Sequence, residues 1–293
     1  MATPHRVYSL ANVTVFTIAD AGFIRMMHNF YVHMTVVLPE LPFEMHAADG
    51  MALAACQSFA RPPARCVDAP LAATVAEERP ERPQGPHGGV PVNRSELPPS
   101  WFENNSTLTY YERPIYRHKI ATLLKVMHRS EVAVLLDATS LVRSRTCLNE
   151  WLAHQEDIVG SSEGSNPGLF VKRYGQVVNT GAVLFRHSTI GFVRHCYEQM
   201  RSHAFSGLDQ GDQLYINYGL LHHHFAWTTP RRSGHDRVGA SIVAGHNMTV
   251  RFMNADRWPR VANASAGDEG CLFHPWVHSD REGFFRDSGF WYL

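Results

Sequence analysis

Short apolar runs alternate along the chain with segments whose apolar residues recur every three or four positions. This pattern predicts strands separated by helices, an α/β arrangement. The clearest run is Glu131-Val-Ala-Val-Leu-Leu-Asp137-Ala-Thr139-Ser140, which is unbroken until it stops on a carboxylate and a hydroxyl pair. A run of this kind reads as a strand covered on both faces, and its carboxyl end opens where ligands collect in open α/β sheets. Asp137 is therefore either a functional carboxylate or the cap of the following turn.

The rest of the pattern fits around this strand. Asn12–Asp20 is β-branched and aromatic and predicts the first strand; residues 23–36 predict a helix, with Phe23, Met26, Met27, Phe30 and Val32 near helical spacing. Pro39 and Pro42 end that helix, and 43–49 returns as a second strand, giving a βαβ unit. Pro114 opens a helix with Ile120, Leu123, Leu124 and Met127 on one face, leading into the strand that ends at Asp137. A short helix is expected around Leu148–Leu152, then a polar loop from Asp157 to Gly168. Val177–Phe185 predicts a strand interrupted at Asn179-Thr180-Gly181, and 189–205 an amphipathic helix. Asp212 stands at the natural N-cap of another helix, which ends in His222-His223-His224. Val250–Met253 and Cys271–Asp280 complete the pattern as a short strand and an extended segment.

Composition changes this picture in one region. Nine of the 17 prolines fall between Arg61 and Ser100, around a Glu/Arg/Gly-rich centre that cannot bury enough apolar surface to fold alone. The strand–helix pattern resumes beyond it, so 61–100 is expected to be a disordered insertion within a single domain spanning 1–293. Acidic and basic residues balance at 27 each, which gives no support for nucleic-acid binding. No stretch approaches the roughly 18 uncharged apolar residues of a membrane span, and the N-terminus lacks the order of a signal peptide. Asn-x-Ser/Thr sequons nevertheless occur at Asn12, Asn93, Asn104, Asn105, Asn247 and Asn263, half of the 12 Asn residues, which points to a glycosylating lumen. Asn12, within a predicted strand, is expected to be unmodified. Five scattered cysteines show no Cys-x-x-Cys spacing and are too few for a disulfide scaffold; at most Cys56 and Cys66 pair across a loop.

Candidate chemistry gathers at the strand ends. Asp20 and Asp49 close the first two strands, where a carboxylate can hold ribose hydroxyls or simply make a turn. Lys119 reads as a solvated helix lysine or as a phosphate contact, and Asn179 and Thr180 offer hydroxyl partners beside Gly181. Gln213 follows Asp212 and points towards the same crevice if Asp212 is only a cap. His278 is a potential divalent-metal ligand that would complete a site begun by Asp137. No strand is followed by the glycine fingerprints of dinucleotide or P-loop proteins, nor by a Gly-x-Ser-x-Gly elbow.

Taken in order, Thr14-Val-Phe-Thr17 with Asn29-Phe30, Lys119, Leu136-Asp137-Ala-Thr139, Val178-Asn179-Thr180-Gly181, Asp212-Gln213 with Asn217, and His274-Pro-Trp-Val-His278 resemble the nucleotide-diphospho-sugar transferase family, which includes plant rhamnogalacturonan xylosyltransferases and extensin arabinosyltransferases. The resemblance covers nearly the whole chain outside the proline-rich insertion. It implies a GT-A fold, a Rossmann-like mixed, mostly parallel sheet flanked by helices. It also implies a retaining glycosyltransferase that uses a nucleotide-sugar donor, UDP-linked, and a glycan or glycoprotein acceptor in the Golgi or secretory lumen. By position, Thr17, Asp20, Asp49, Lys119, Asp137, Thr180 and Gly181 would face the donor, and Asp212, Gln213 and Asn179 would be catalytic. Asp137, Thr139 and His278 would hold Mn²⁺ or Mg²⁺. The chain departs from the family's aspartate-x-aspartate motif at Thr139, where a neutral hydroxyl replaces a carboxylate. A non-catalytic relative that binds sugar nucleotides or glycans is the alternative that this departure raises.

Overall fold

Val132–Leu136 is buried along its whole length, as its unbroken apolar run requires, and it lies inside a nine-stranded sheet. The computed structural model describes residues 10–70, 114–163, 177–201, 211–223, 225–227, 236–254, 257–258, 270–275 and 281–293. The first half runs β1 (Val13–Ala19), α1 (Ile24–Val37), β2 (Phe43–Ala47), α2 (Gly50–Phe59), β3 (Ala64–Asp68), α3 (Pro114–Met127) and β4 (Val132–Leu136). Then follow β5 (Leu141–Val142), α4 (Arg145–Ala153), β6 (Ile158–Glu163), β7 (Val177–Arg186), α5 (Ile190–Arg201) and α6 (Asp212–His222). The chain closes with β8 (Ala226–Trp227), β9 (Arg237–Val243), β10 (His246–Met253), β11 (Leu272–Phe273) and α7 (Arg281–Asp287).

The strand order is β3-β2-β1-β4-β7-β6-β10-β9-β8. β1 runs parallel to β2 and β4, and β10 parallel to β6, whereas β7 is antiparallel to both β4 and β6. The sheet is thus mixed but mostly parallel, the GT-A architecture expected from the sequence. Helices cover both faces. Met27, Phe30 and Met34 of α1, Cys56 of α2 and Trp151 of α4 pack with Val15, Met45 and Val134 on one side. Leu123 and Met127 of α3, Val193 and Met200 of α5 and Tyr215 of α6 pack with Phe16, Leu135 and Phe185 on the other. β5 and β11 form a separate two-stranded ribbon, Val142 opposite Leu272 and Leu141 opposite Phe273.

Several expectations need correction. Residues 64–68, inside the stretch expected to be an insertion, form β3 and pair with β2; residues 71–100 lie outside the described residues. Gly50–Phe59, for which no element was expected, is a helix capped by Asp49. The expected polar loop after Asp157 begins as strand β6, whose polar residues are tolerated because a register shift between Gly160 and Ser162 breaks the regular pairing with β7. β7 is one continuous ten-residue strand, buried throughout, not an interrupted one. Asn12 closes a short 3-10 helix before β1 and is exposed rather than lying in the strand. Two disulfides are present: Cys56–Cys66, the pairing the sequence allowed, and Cys147–Cys271, which joins positions 124 residues apart and was not foreseen. Cys196 is free and buried.

Candidate active site

The carboxyl ends of β1, β2 and β4 and the amino end of β7 meet at one rim of the sheet, because β7 alone among these runs the other way. Asp137 follows β4 directly. Its backbone N–H donates to the Gly181 carbonyl at 2.8 Å and its carbonyl accepts from the Ser140 N–H at 2.7 Å, so the carboxylate is set by a tight turn docked on β7.

Lys119 is buried, contrary to its reading as a solvated helix residue. Its ammonium lies 2.7 Å from Asp137 Oδ1 and 2.7 Å from Asp212 Oδ2. Burial is the largest single influence on this amine and favours its neutral form, but the two carboxylates together outweigh it and hold its pKa above the ordinary lysine value. One ammonium between two carboxylates leaves the group one negative charge in excess. That excess is tolerable because Asp212 also sits at the positive end of α6. Asp212 is not the helix cap: Gly211 takes that position with extended backbone, and the Asp212 side chain is free to reach Lys119.

Gly181 explains how a histidine joins this group. A side chain there would run into the His274 ring, with Asp137 Oδ2 at 2.8 Å and His274 Nε2 at 2.9 Å from the position of its Cβ. The carboxylate oxygen not used by Lys119 and the imidazole Nε2 therefore converge over the bare face of one glycine. Asn179, two positions away on the same side of β7, accepts from the Gly181 N–H through Oδ1 at 2.8 Å and lies 3.4 Å from His274 Nδ1 through Nδ2. His274 follows β11 and is buried, so the β5–β11 ribbon and the Cys147–Cys271 bond carry it to the loop that bears Asp137.

Asn217 holds α6 to β7. Its amide accepts from the Val178 N–H at 2.9 Å and donates to the Val178 carbonyl at 2.8 Å, pairing as a neighbouring strand would. This fixes Asp212 and the half-buried Gln213 over the strand that carries Asn179.

The other sequence candidates lie elsewhere or are otherwise engaged. Asp49 accepts from the Ala52 N–H at 2.8 Å as a helix cap and from the Ala21 N–H at 2.7 Å, so both its oxygens hold backbone. Asp20 accepts from the Gly22 N–H at 3.0 Å. Thr17 is fully buried in β1, its hydroxyl without a hydrogen-bond partner among the described residues. Thr180 is buried and, by strand alternation, faces away from the Asn179 side. Thr139 is buried two residues past Asp137. His278 lies outside the described residues. The residue that sequence reasoning passed over as a ligand is His274; its only signal was its place at the head of the same His-Pro-Trp-Val-His segment.

A hard dication at this place would find Asp137 Oδ2 and His274 Nε2, a carboxylate and an imidazole, and would need a further ligand such as a diphosphate oxygen to complete its shell. Among the described residues no third His, Cys, Asp or Glu joins them. Among the described residues the protein thus presents two donors here, a carboxylate and an imidazole, too few to enclose a metal by themselves.

No family model matches the chain, and no curated protein matches it either. Among solved structures, a galactosyltransferase, LgtC, in complex with donor and acceptor sugar analogs shares 14% identity over 96% of both chains with a TM-score of 0.52. Mouse xyloside xylosyltransferase 1 shares 13% identity over 72% of this chain and 82% of its own with a TM-score of 0.42, and core-mannan synthase A from Aspergillus fumigatus, in an Mn/GDP form, 9% over 75% and 71% with 0.42. The fold is that of the GT-A glycosyltransferases. Among the described residues no helix is long and apolar enough to cross a membrane.

Proposed function

We propose that the chain transfers a sugar from a nucleoside-diphosphate donor, UDP-linked, to a hydroxyl of a glycan or glycoprotein, with retention of anomeric configuration. The observation that carries this reading is the Lys119–Asp137–Asp212 group on the ligand-binding rim of a GT-A sheet, with His274 and Asn179 beside it. Buried, oppositely charged groups that converge on an open rim without capping any helix are more than the fold requires.

In this reading Asp137 and His274 would hold Mn²⁺ or Mg²⁺ beside the diphosphate, and such an ion would supply Lewis-acid neutralisation of the leaving group's charge. Lys119 bridges Asp137 and Asp212 and fixes their spacing. Asp212, at the amino end of α6, presents a carboxylate where positive charge develops on the donor sugar. Asn179 orients the His274 ring through Nδ1 and, with Gln213, lines the sugar and acceptor side, whereas Thr180, on the opposite face of β7, takes no part. Thr139 supplies a neutral hydroxyl where the family pattern has a second acid, which leaves Asp137 as the single carboxylate of that motif.

Thr139 favours the second reading, a relative that binds sugar nucleotides without turning them over. Two measurements separate them. Calorimetry with UDP and Mn²⁺ reports binding, and release of UDP from UDP-sugars reports turnover. Binding with turnover that Asp137→Ala abolishes supports the enzyme, binding without turnover supports the second reading, and absence of both removes the proposal.

A further inference from the structure

The sequons, which the proposed chemistry does not use, acquire a place in the fold at Asn247. The two-residue turn Ala244-Gly245, with φ of 50° and 83°, joins β9 to β10 as a tight hairpin, and Asn247 is exposed on the β10 arm beside it. Because β10 runs parallel to β6, and β6 in the same direction as β4, this arm begins at the rim opposite Asp137. A bulky group on Asn247 would leave the donor crevice open.

Directly across the hairpin stands Ile242, paired with Asn247 and 65% exposed. Side chains opposite one another on an antiparallel pair share a face and lie about 5 Å apart. β8 pairs with Gly239 and Ala240 but not with Ile242, so among the described residues this end of β9 is an uncovered edge carrying a large aliphatic side chain. Such an edge is prone to pairing with another chain unless something shields it. Two disulfides, Cys56–Cys66 and Cys147–Cys271, independently point to folding in an oxidising compartment, the setting in which sequons are read.

We propose that Asn247 bears an N-linked glycan whose first sugar lies over Ile242 and shields this edge. The donor is a lipid-linked oligosaccharide diphosphate. The bond from the anomeric carbon to the diphosphate oxygen breaks and one from that carbon to Asn247 Nδ2 forms; the lipid diphosphate leaves and the amide gives up one proton. Timing follows from Thr249, the sequon hydroxyl. In the fold Thr249 Oγ1 donates to Asp157 Oδ2 at 2.8 Å, so the hydroxyl is accessible only before β10 docks on β6, while the chain is entering the lumen.

The test is expression of the full chain through the secretory route of a eukaryotic host, followed by amidase release of N-glycans in H₂¹⁸O and peptide mass spectrometry. The expected result is ¹⁸O-labelled Asp at position 247 in more than half of the molecules, with Asn247→Gln migrating faster by one glycan. Unmodified Asn247 in half of the molecules or more overturns the proposal. This outcome does not depend on whether the protein transfers sugar.

Discussion

Two stretches of the same rim carry acids, at strand ends or at the start of a helix, and use them differently. On the β1–β2 side, Asp20 and Asp49 spend their oxygens on the backbone N–H groups of Gly22, Ala21 and Ala52. On the β4–β7 side, Asp137 and Asp212 meet a buried ammonium, and Asp137 keeps one oxygen for the His274 side. The difference is in the partners and not in the acids. Capping partners are local, two to three residues away, apart from the Ala21 contact. The partners in the charged group come from α3, β4 and α6, and only the fold brings them together.

The charged group depends most on Lys119, the ammonium shared by both of its carboxylates. Lys119→Met leaves two carboxylates without their counter-charge and is expected to lower the unfolding free energy by about 4 kcal/mol, read from urea denaturation. An unchanged midpoint would mean that the ammonium does not organise the group.

A smaller loss is expected on acidification, because the strand that follows the Asp137 loop is pinned by a neutral imidazole. His33 Nε2 donates to the Val142 carbonyl at 2.9 Å and Nδ1 accepts from the Tyr292 hydroxyl at 3.1 Å; burial depresses its pKa from 6.5 to about 4. Between those values the unfolded chain binds a proton that the folded one refuses. The stability present above pH 6.5 is therefore lost as the pH falls towards 4, by about 3 kcal/mol in all. The pH dependence of unfolding should flatten over this window in His33→Gln; an unaltered slope would contradict the assignment.

Asp49→Ala removes two backbone acceptors and should cost about 1 to 2 kcal/mol of stability while leaving donor affinity unchanged. Asp20→Ala, which loses a single exposed contact, should cost roughly 0.5 kcal/mol. A change in UDP-sugar affinity in either variant would return these acids to the donor site.

Much of this arrangement was legible from the chain itself. A β-branched and aromatic run gave β1, a run of Val and Leu gave β4, helical spacing gave α1, α3 and α5, and the acid after β4 stood out at once. What escaped notice depended on distant partners. Lys119 looks like any helix lysine until Asp137, 18 residues on, and Asp212, 93 residues on, are brought beside it. Asp212 looks like a cap because its position is one residue from being so, and Gly211 takes that role. β6 was hidden by glycine and serines that a bulge makes acceptable, and α2 by its closeness to the proline-rich stretch, although Asp49 and an alanine-rich run were there to announce it. His274 carries no stronger local signal than its place in the His-Pro-Trp-Val-His segment, and only its close approach over Gly181 reveals it.

Asp137 and Asp49 stand on one rim but hold different partners, an ammonium and backbone N–H groups. UDP-sugar turnover measured with Mn²⁺ on wild type, Asp137→Asn and Asp49→Asn tests this directly. The prediction is a loss of roughly 100-fold or more for Asp137→Asn and no more than about twofold for Asp49→Asn. Equal rates for Asp137→Asn and wild type, or equal losses in the two variants, would contradict it.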